Sequence, residues 1–208
     1  MHAPYCYNDA YAWRGDKTFD DTAPLRVIMV GFINERKGVL KMAELLQEFS
    51  AKLNRKMQLV VCGTRPLEDK VAAFGNATFE VLLKGNCSPD QLRDEYRQAH
   101  ICLYPSLGDE WGLVPVEAMA SGVPVVGSLL AQSAEAVIEH GVNGWTVNAE
   151  NQQQLKDTVW DAIQTPAAKL SEMSALARQA VNHISAETSG LAFLSVINHA
   201  LAKQRTTK

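Results

Sequence analysis

The 208-residue sequence predicts an α/β protein, a doubly wound, Rossmann-like parallel sheet of about six strands with helices on both faces. Three observations carry that prediction. Short apolar runs alternate with segments whose apolar residues recur at helical spacing. The connections between them are about two to six residues long, as in βα units. And the runs are apolar throughout, as strands covered on both faces must be.

Residues 1–24 are aromatic, polar and aperiodic and read as a linker or N-terminal extension. "LRVIMVG" (25–31) is a buried strand ending at glycine. "KGVLKMAELLQEFSAKLN" follows with Val39, Leu40, Ala43, Leu46, Phe49 and Leu53 on one helical face. "QLVVCG" is a strand, 66–75 a short helix and "TFEVLLKG" a strand. "SPDQLRDEYRQA" is a helix with Ser88 as N-cap and Pro89 at its first position. "HICLYPS" is a strand, 115–121 a helix closed by Gly122, and "VPVVGS" a strand. "SAEAVIEHG" reads as a short helix and "GWTV" as the last strand. Helices near 150–164, 167–182 and 186–203 complete the chain. The domain proper is thus 25–182, with 183–208 as a C-terminal helix.

Composition narrows the function classes. A hydrophobic content of 47% and a net charge of -3 describe a globular protein without a basic field, which argues against nucleic acid as a partner. No apolar run reaches the roughly 18 residues of a membrane span, and the first residues lack the apolar core of a signal peptide. Cys6, Cys62, Cys87 and Cys102 contain no CxxC pair and read as reduced, packed cysteines of a cytoplasmic protein. The histidines do not cluster at metal-ligand spacing, and His100, at a strand entrance, reads as structural. No P-loop, GxGxxG or GxSxG motif is present.

In doubly wound sheets the ligand sits at the carboxyl ends of the strands, which directs attention to "SLGDEWGLVPVEAMASG" (106–122). Pro115 marks the start of a helix, whose terminal N–H groups form an anion site. Gly112 lets a ligand approach the backbone, and Glu117 falls in the first turn. Glu117 either complements the helix dipole or binds a ligand, and Asp109 either caps loop N–H groups or does the same; spacing alone leaves both open. Two acids beside an anion site suit a ligand that is both anionic and rich in hydroxyls, such as a nucleotide sugar.

"YPSLGDEWGLVPVEAMASGVPVV" resembles the donor-site signature of family 4 glycosyltransferases, retaining enzymes of the GT-B fold: an acid, seven residues, then a glutamate. "VIEHGVNGWTV" resembles the G-x-N-G segment that follows it, and "GFINERKG" the first phosphate loop; the likeness spans about 25–165. It implies one half of a GT-B enzyme that moves a hexosyl unit from an NDP-sugar (UDP-, GDP-, ADP- or TDP-linked) to a carbohydrate or other hydroxyl acceptor, without metal or other cofactor. Glu117 would bind the ribose hydroxyls, and Asp109 the hydroxyls of the transferred sugar. The backbone of Trp111, Gly112 and Leu113 would cradle the diphosphate. Lys37, after Gly31 in the first phosphate loop, would pair with the leaving phosphate, and Gly85 and Asn86 would border the base. The acceptor-binding N-terminal domain would lie outside this sequence, and any contact with the inner face of a membrane would pass through it.

This chain departs from the pattern in three places. Asp109 stands where glutamate is usual, Glu110 where glycine is usual, and Phe32 where an arginine commonly shares the phosphate with the lysine. Arg36 or Arg65 is a candidate to take over from that arginine. A binding module without activity of its own, serving a separate acceptor domain, is the alternative reading. An epimerase is a third, for which no acid/base residues are found.

Overall fold

The strands are β1 (Leu25–Val30), β2 (Met57–Cys62), β3 (Phe79–Gly85), β4 (Ile101–Tyr104), β5 (Val125–Ser128) and β6 (Gly144–Val147). They hydrogen-bond into one sheet, in the order β3-β2-β1-β4-β5-β6, with every pair parallel. The structure, a computed structural model, describes residues 7, 9–13, 15–64 and 66–206, so the readings for Cys6 and Arg65 lie outside it. From β1 the chain steps outward to β3, returns to β4 on the other side of β1, and steps outward again to β6. The strand order therefore reverses between β1 and β4, which opens a crevice at their carboxyl ends.

The helices in chain order are α1 (Val39–Ser50), α2 (Glu68–Ala72), α3 (Pro89–Gln98), α4 (Leu113–Ala120), α5 (Gln132–Val137), α6 (Gln152–Ile163), α7 (Ala167–Val181) and α8 (Ala186–Thr206). On one face, α1, α2 and α6 share a buried cluster with Leu25, Val27, Met29, Leu59 and Val61. Val39, Met42, Ala43, Leu46 and Phe49 of α1 enter it from one stripe of the helix. On the other face, α3, α4, α5 and α7 bury Tyr96, Val116, Met119, Ala134 and Ala177 against Ile28, Val60 and Cys102. Each large side chain so buried is worth about 1.5–3 kcal/mol.

Local signals act as the sequence suggested in several places. Ser88 Oγ accepts from the Gln91 N–H, and the Gln91 side chain accepts from the Ser88 N–H, which closes a capping box on α3. At the end of α4 the N–H of Gly122 (φ 72) donates to Met119 and that of Val123 to Ala118, a Schellman stop. The start of α4 is a correction. The helix begins at Leu113, not Pro115, because Gly112 at φ 81 turns the chain in earlier. Proline is tolerated at the third position because the first four N–H groups of a helix have no intrahelical acceptor. Glu117 accordingly lies beyond the first turn.

The described residues ahead of β1 are packed on the domain. The Trp13 N–H donates to the Ala120 carbonyl at 2.9 Å and Ser121 Oγ to that of Tyr11 at 2.8 Å. Lys17 Nζ donates to the Tyr96 carbonyl at 2.8 Å, near the end of α3. The Asp21 carboxylate accepts the Ala167 N–H at 3.1 and 3.2 Å and so caps α7 from a distance. At the other end α8 leaves Leu191, Phe193, Leu194, Ile197 and Leu201 exposed. No helix among the described residues is long and apolar enough to cross a membrane.

Candidate functional site

Three loops meet above the crevice: 31–38 after β1, 105–112 after β4 and 129–131 after β5. The middle loop is held on both sides by backbone. The Leu107 N–H donates to the Arg36 carbonyl at 2.9 Å and the Asp109 N–H to that of Leu130 at 3.0 Å. Further on, the Ser133 N–H donates to the Trp111 carbonyl at 3.0 Å, and Ser133 Oγ to that of Gly112 at 2.5 Å. Asp109 therefore sits on a pinned segment although no regular element contains it.

Lys37 and Asp109, 72 residues apart, form an ion pair with Nζ to Oδ2 at 2.5 Å. Tyr104 completes a triangle. Its hydroxyl accepts from Lys37 Nζ at 2.7 Å and donates to Asp109 Oδ2 at 2.5 Å, and its ring centroid lies 4.6 Å from the ammonium. Arg36 donates to the Gly108 carbonyl and lies 3.7 Å from the same carboxylate oxygen. Burial works against the Asp109 charge. The hydrogen bonds from Lys37 and Tyr104 and the nearby cations outweigh it, and hold the pKa below the ordinary aspartate value. Burial first, and then the neighbouring Asp109 charge, pushes the Tyr104 phenol up, which keeps it a donor.

Gly112 is required twice over. Its φ of 81 is open to glycine, and a Cβ there would meet the Tyr104 hydroxyl at 2.9 Å. The N-cap Gly112 supplies no side-chain acceptor to α4, whose first N–H groups lack intrahelical partners at the end of the loop that carries Asp109. Leu113 and Trp111 flank that turn, and Leu113 is exposed.

Glu117 occupies a different setting. It is half-buried, and Tyr96 Oη donates to its Oε2 at 3.4 Å. Desolvation raises its pKa above the ordinary glutamate value, and the Tyr96 hydrogen bond only partly opposes this. A larger cavity of about 600 Å³, lined by Gly38, Leu40, Pro105, Leu107 and Leu155, lies beside the Lys37–Asp109 pair and does not contain it.

Gly31 and Asn86 line a separate pocket of about 200 Å³ with Phe32, Cys62, Gly63, Thr64 and Cys87. Gly85 adjoins it through backbone: its carbonyl accepts the Gly63 N–H at 2.8 Å, while the Gly31 N–H donates to Cys62 at 2.9 Å. A Cβ on Gly63 would lie 1.8 Å from the Gly31 carbonyl oxygen, so these strand ends can approach only through glycine.

The structure thus joins Lys37 to Asp109, places Trp111, Gly112 and Leu113 at the α4 turn, and gathers Gly31, Gly85 and Asn86 around the second pocket. Glu117 stands apart from the ion pair. Phe32 is 67% exposed and Glu110 is exposed. Sequence reasoning missed Tyr104 and Tyr96. The available signal for Tyr104 was a polar-tipped aromatic at the last position of an otherwise apolar strand.

An all-parallel sheet with this strand order, and its charged groups gathered at the β1–β4 reversal, is a Rossmann-like domain of the kind that makes up half of a GT-B fold. The sequence profile of the group 1 glycosyl transferases matches residues 13–180, and the chain belongs to that family. An uncharacterized glycosyltransferase of Methanocaldococcus jannaschii is 30% identical over 127 residues, which is 60% of this chain and 32% of that protein. The chain therefore spans about a third of that curated relative's length. Among solved structures, sucrose-phosphate synthase from Thermosynechococcus elongatus aligns with a TM-score of 0.70 at 22% identity, over 97% of this chain and 50% of that one. Anabaena HepE, in complex with UDP and glucose, aligns with a TM-score of 0.68 at 18% identity, over 85% of this chain and 48% of that one. At these identities the structural likeness shows the fold.

Proposed function

We propose that this chain is the donor-binding half of a retaining, metal-independent glycosyltransferase, which moves a hexosyl unit from an NDP-sugar to a hydroxyl acceptor held by a second domain. The observation that carries the reading is the Lys37–Asp109 pair at the mouth of the uncapped α4 turn. A nucleoside diphosphate is a stronger anion than one carboxylate and takes over Lys37, with Arg36 within reach as a second cation. Asp109, released from the lysine, then accepts hydrogen bonds from the sugar hydroxyls and steadies positive charge at the anomeric carbon. The N–H groups at Gly112 and Leu113, beside Trp111, receive the diphosphate. Glu117, which among the described residues has a phenol but no cation against it, accepts hydrogen bonds from the ribose hydroxyls. Gly85 and Asn86 border the base, with Gly31 of the first phosphate loop lining the same pocket as Asn86.

In this scheme Lys37 and the helix terminus stabilise the departing diphosphate, a role that otherwise falls to a metal ion. The acceptor hydroxyl attacks from the face that the diphosphate leaves, which retains the anomeric configuration. Isothermal titration of the chain with UDP, GDP, ADP and TDP and their hexose conjugates, in EDTA, tests the reading. Weak binding without divalent metal is expected. Affinity abolished by EDTA and restored by Mn²⁺ would overturn the metal-independent scheme.

A further inference from the structure

The carboxyl ends of β2 and β3 carry two thiols that the donor reading does not use. Cys62 and Cys87 both line the pocket of about 200 Å³, and both are free. Backbone sets their approach. Cys62 is paired in register with Gly85, and the Gly63 N–H holds the Gly85 carbonyl at 2.8 Å. The chain turns at Gly85 (φ 64) and brings Cys87 Sγ to 3.8 Å from that same carbonyl oxygen, against the Cys62 thiol. Thr64 Oγ1 and Asn86 Oδ1 meet across the same two loops at 3.5 Å.

The two thiols differ in access. Cys62 is 3% exposed, whereas Cys87 is half-buried and open to the pocket. Burial, and then the Cys87 thiol beside it, pushes the Cys62 thiol up, so Cys62 does not react first. Cys102 on β4 is fully buried and serves as an internal control.

We propose that Cys62 and Cys87 form a dithiol that a hydroperoxide oxidises to a disulfide in the wall of this pocket. The Cys87 thiolate attacks one peroxide oxygen. A sulfur–oxygen bond forms, the oxygen–oxygen bond breaks, and the leaving oxygen takes up a proton as water or an alcohol. The Cys62 sulfur then attacks the Cys87 sulfenic acid. The sulfur–sulfur bond forms, the sulfur–oxygen bond breaks, and hydroxide leaves with the Cys62 proton as water. Two electrons pass from the thiols to the peroxide. Closing the bond draws the 85–88 loop toward β2 and narrows the pocket that Asn86 and Thr64 border. The covalent step stands without the donor reading; the loss of nucleotide binding rests on it.

Lys70 and Lys84 separate the two cysteines, so a non-reducing tryptic map resolves the link. After stoichiometric hydrogen peroxide, the peptides containing Cys62 and Cys87 are expected to be joined, and to separate on reduction with dithiothreitol. Affinity for UDP and GDP is expected to fall by about tenfold or more in the joined form and to return on reduction. The Cys62→Ser,Cys87→Ser variant should bind equally before and after peroxide. Cys87 carried to sulfinic acid with no joined peptides, or a link to Cys6 or Cys102 instead, overturns the dithiol. Joined peptides with unchanged affinity overturn its effect on the pocket. If the reduced chain binds neither nucleotide the donor reading fails, and the peptide map still decides the dithiol.

Discussion

Asp109 and Glu117 are eight residues apart in one motif, yet the fold places them in opposite electrostatic settings. Asp109 takes Lys37, Tyr104 and, at 3.7 Å, Arg36 onto one oxygen, and its pKa falls. Glu117 loses water, takes one long hydrogen bond from Tyr96, and its pKa rises. Two acids in a sequence pattern therefore carry two different requirements. One has a cation that an incoming anion must take away. The other has, among the described residues, one long hydrogen bond and no ion pair, which leaves it room to accept from an incoming hydroxyl group.

The largest effect concerns what neither carboxylate provides. Holding an acceptor hydroxyl against the anomeric carbon accounts for roughly 7–11 kcal/mol of a barrier. The 208-residue chain alone is therefore expected to give no glycosylated product with its best-binding NDP-sugar and a mixed acceptor library, as read by mass spectrometry. Turnover within tenfold of about 1 s⁻¹ would show that the two carboxylates and their loops suffice.

Lys37→Ala removes the nearest cation from Asp109 and, on the proposed reading, from the diphosphate. It is expected to weaken nucleoside diphosphate binding by about 2–3 kcal/mol, and to raise the Asp109 pKa in a carboxyl NMR titration. Retained affinity would transfer the phosphate role to Arg36.

Glu117→Ala is expected to weaken the same binding by about 1–3 kcal/mol while leaving the melting temperature unchanged or higher. Equal affinity with a lower melting temperature would return Glu117 to a structural role in α4.

The two acids should also differ in sign when stability is followed against pH. Asp109, with its folded pKa lowered from 3.8, stabilises the protein above that value, and the contribution is lost as pH falls through the folded pKa. Glu117, raised from 4.5, contributes fully below that value, and the contribution is lost as pH rises through the folded pKa. Asp109→Asn is therefore expected to be less stable than the parent at neutral pH, by about 1 kcal/mol, and Glu117→Gln equally or more stable. Each should converge on the parent in acid. Differences between chains are the quantity to measure, because other groups, Lys17 and His100 among them, tilt every curve the same way. Burial pushes Lys17 down to about 7 and His100 down to about 4. Stability from Lys17 is lost as pH falls from 10.5 toward 7, and that from His100 as it falls from 6.5 toward 4. Matching curves for the two variants would remove the contrast.

The smallest effect belongs to Tyr104→Phe. It keeps the ring under Gly112 and loses only the hydroxyl, at a cost of about 0.5–1.5 kcal/mol in diphosphate affinity. No loss would show that Lys37 and Asp109 hold each other without the phenol.

The strands and helices were legible because a strand covered on both faces must be apolar throughout, and a helix covered on one face must repeat its apolar residues with the turn. "LRVIMV" and Val39, Ala43, Leu46 and Phe49 follow those rules, while Met42 joins the buried stripe and the expected Leu40 and Leu53 are only partly buried. The start of α4 was misread because Pro115 is a strong local signal, while the positive φ at Gly112 depends on where Tyr104 and Ser133 lie. The described residues before β1 looked aperiodic because they bury single side chains and backbone groups against several elements, which leaves no period to detect.

The sequence by itself determined the alternation of strands and helices, the two acids of the 106–122 motif and the lysine 72 residues before the first of them. The alternation follows from local periodicity and turn chemistry, which act within a few residues, whereas the acids and the lysine stood out as site residues through their resemblance to the family 4 glycosyltransferase signature. Only the tertiary structure decided that Lys37 rests on Asp109, that a phenol joins them, that no cation of the described residues pairs with Glu117, and that Cys62 and Cys87 share one pocket wall. Each of these depends on which strand ends become neighbours, and in a parallel sheet residues distant in sequence meet there. The pKa of a carboxyl group is set by the groups within a few ångströms of it, so one motif can hold two acids shifted in opposite directions.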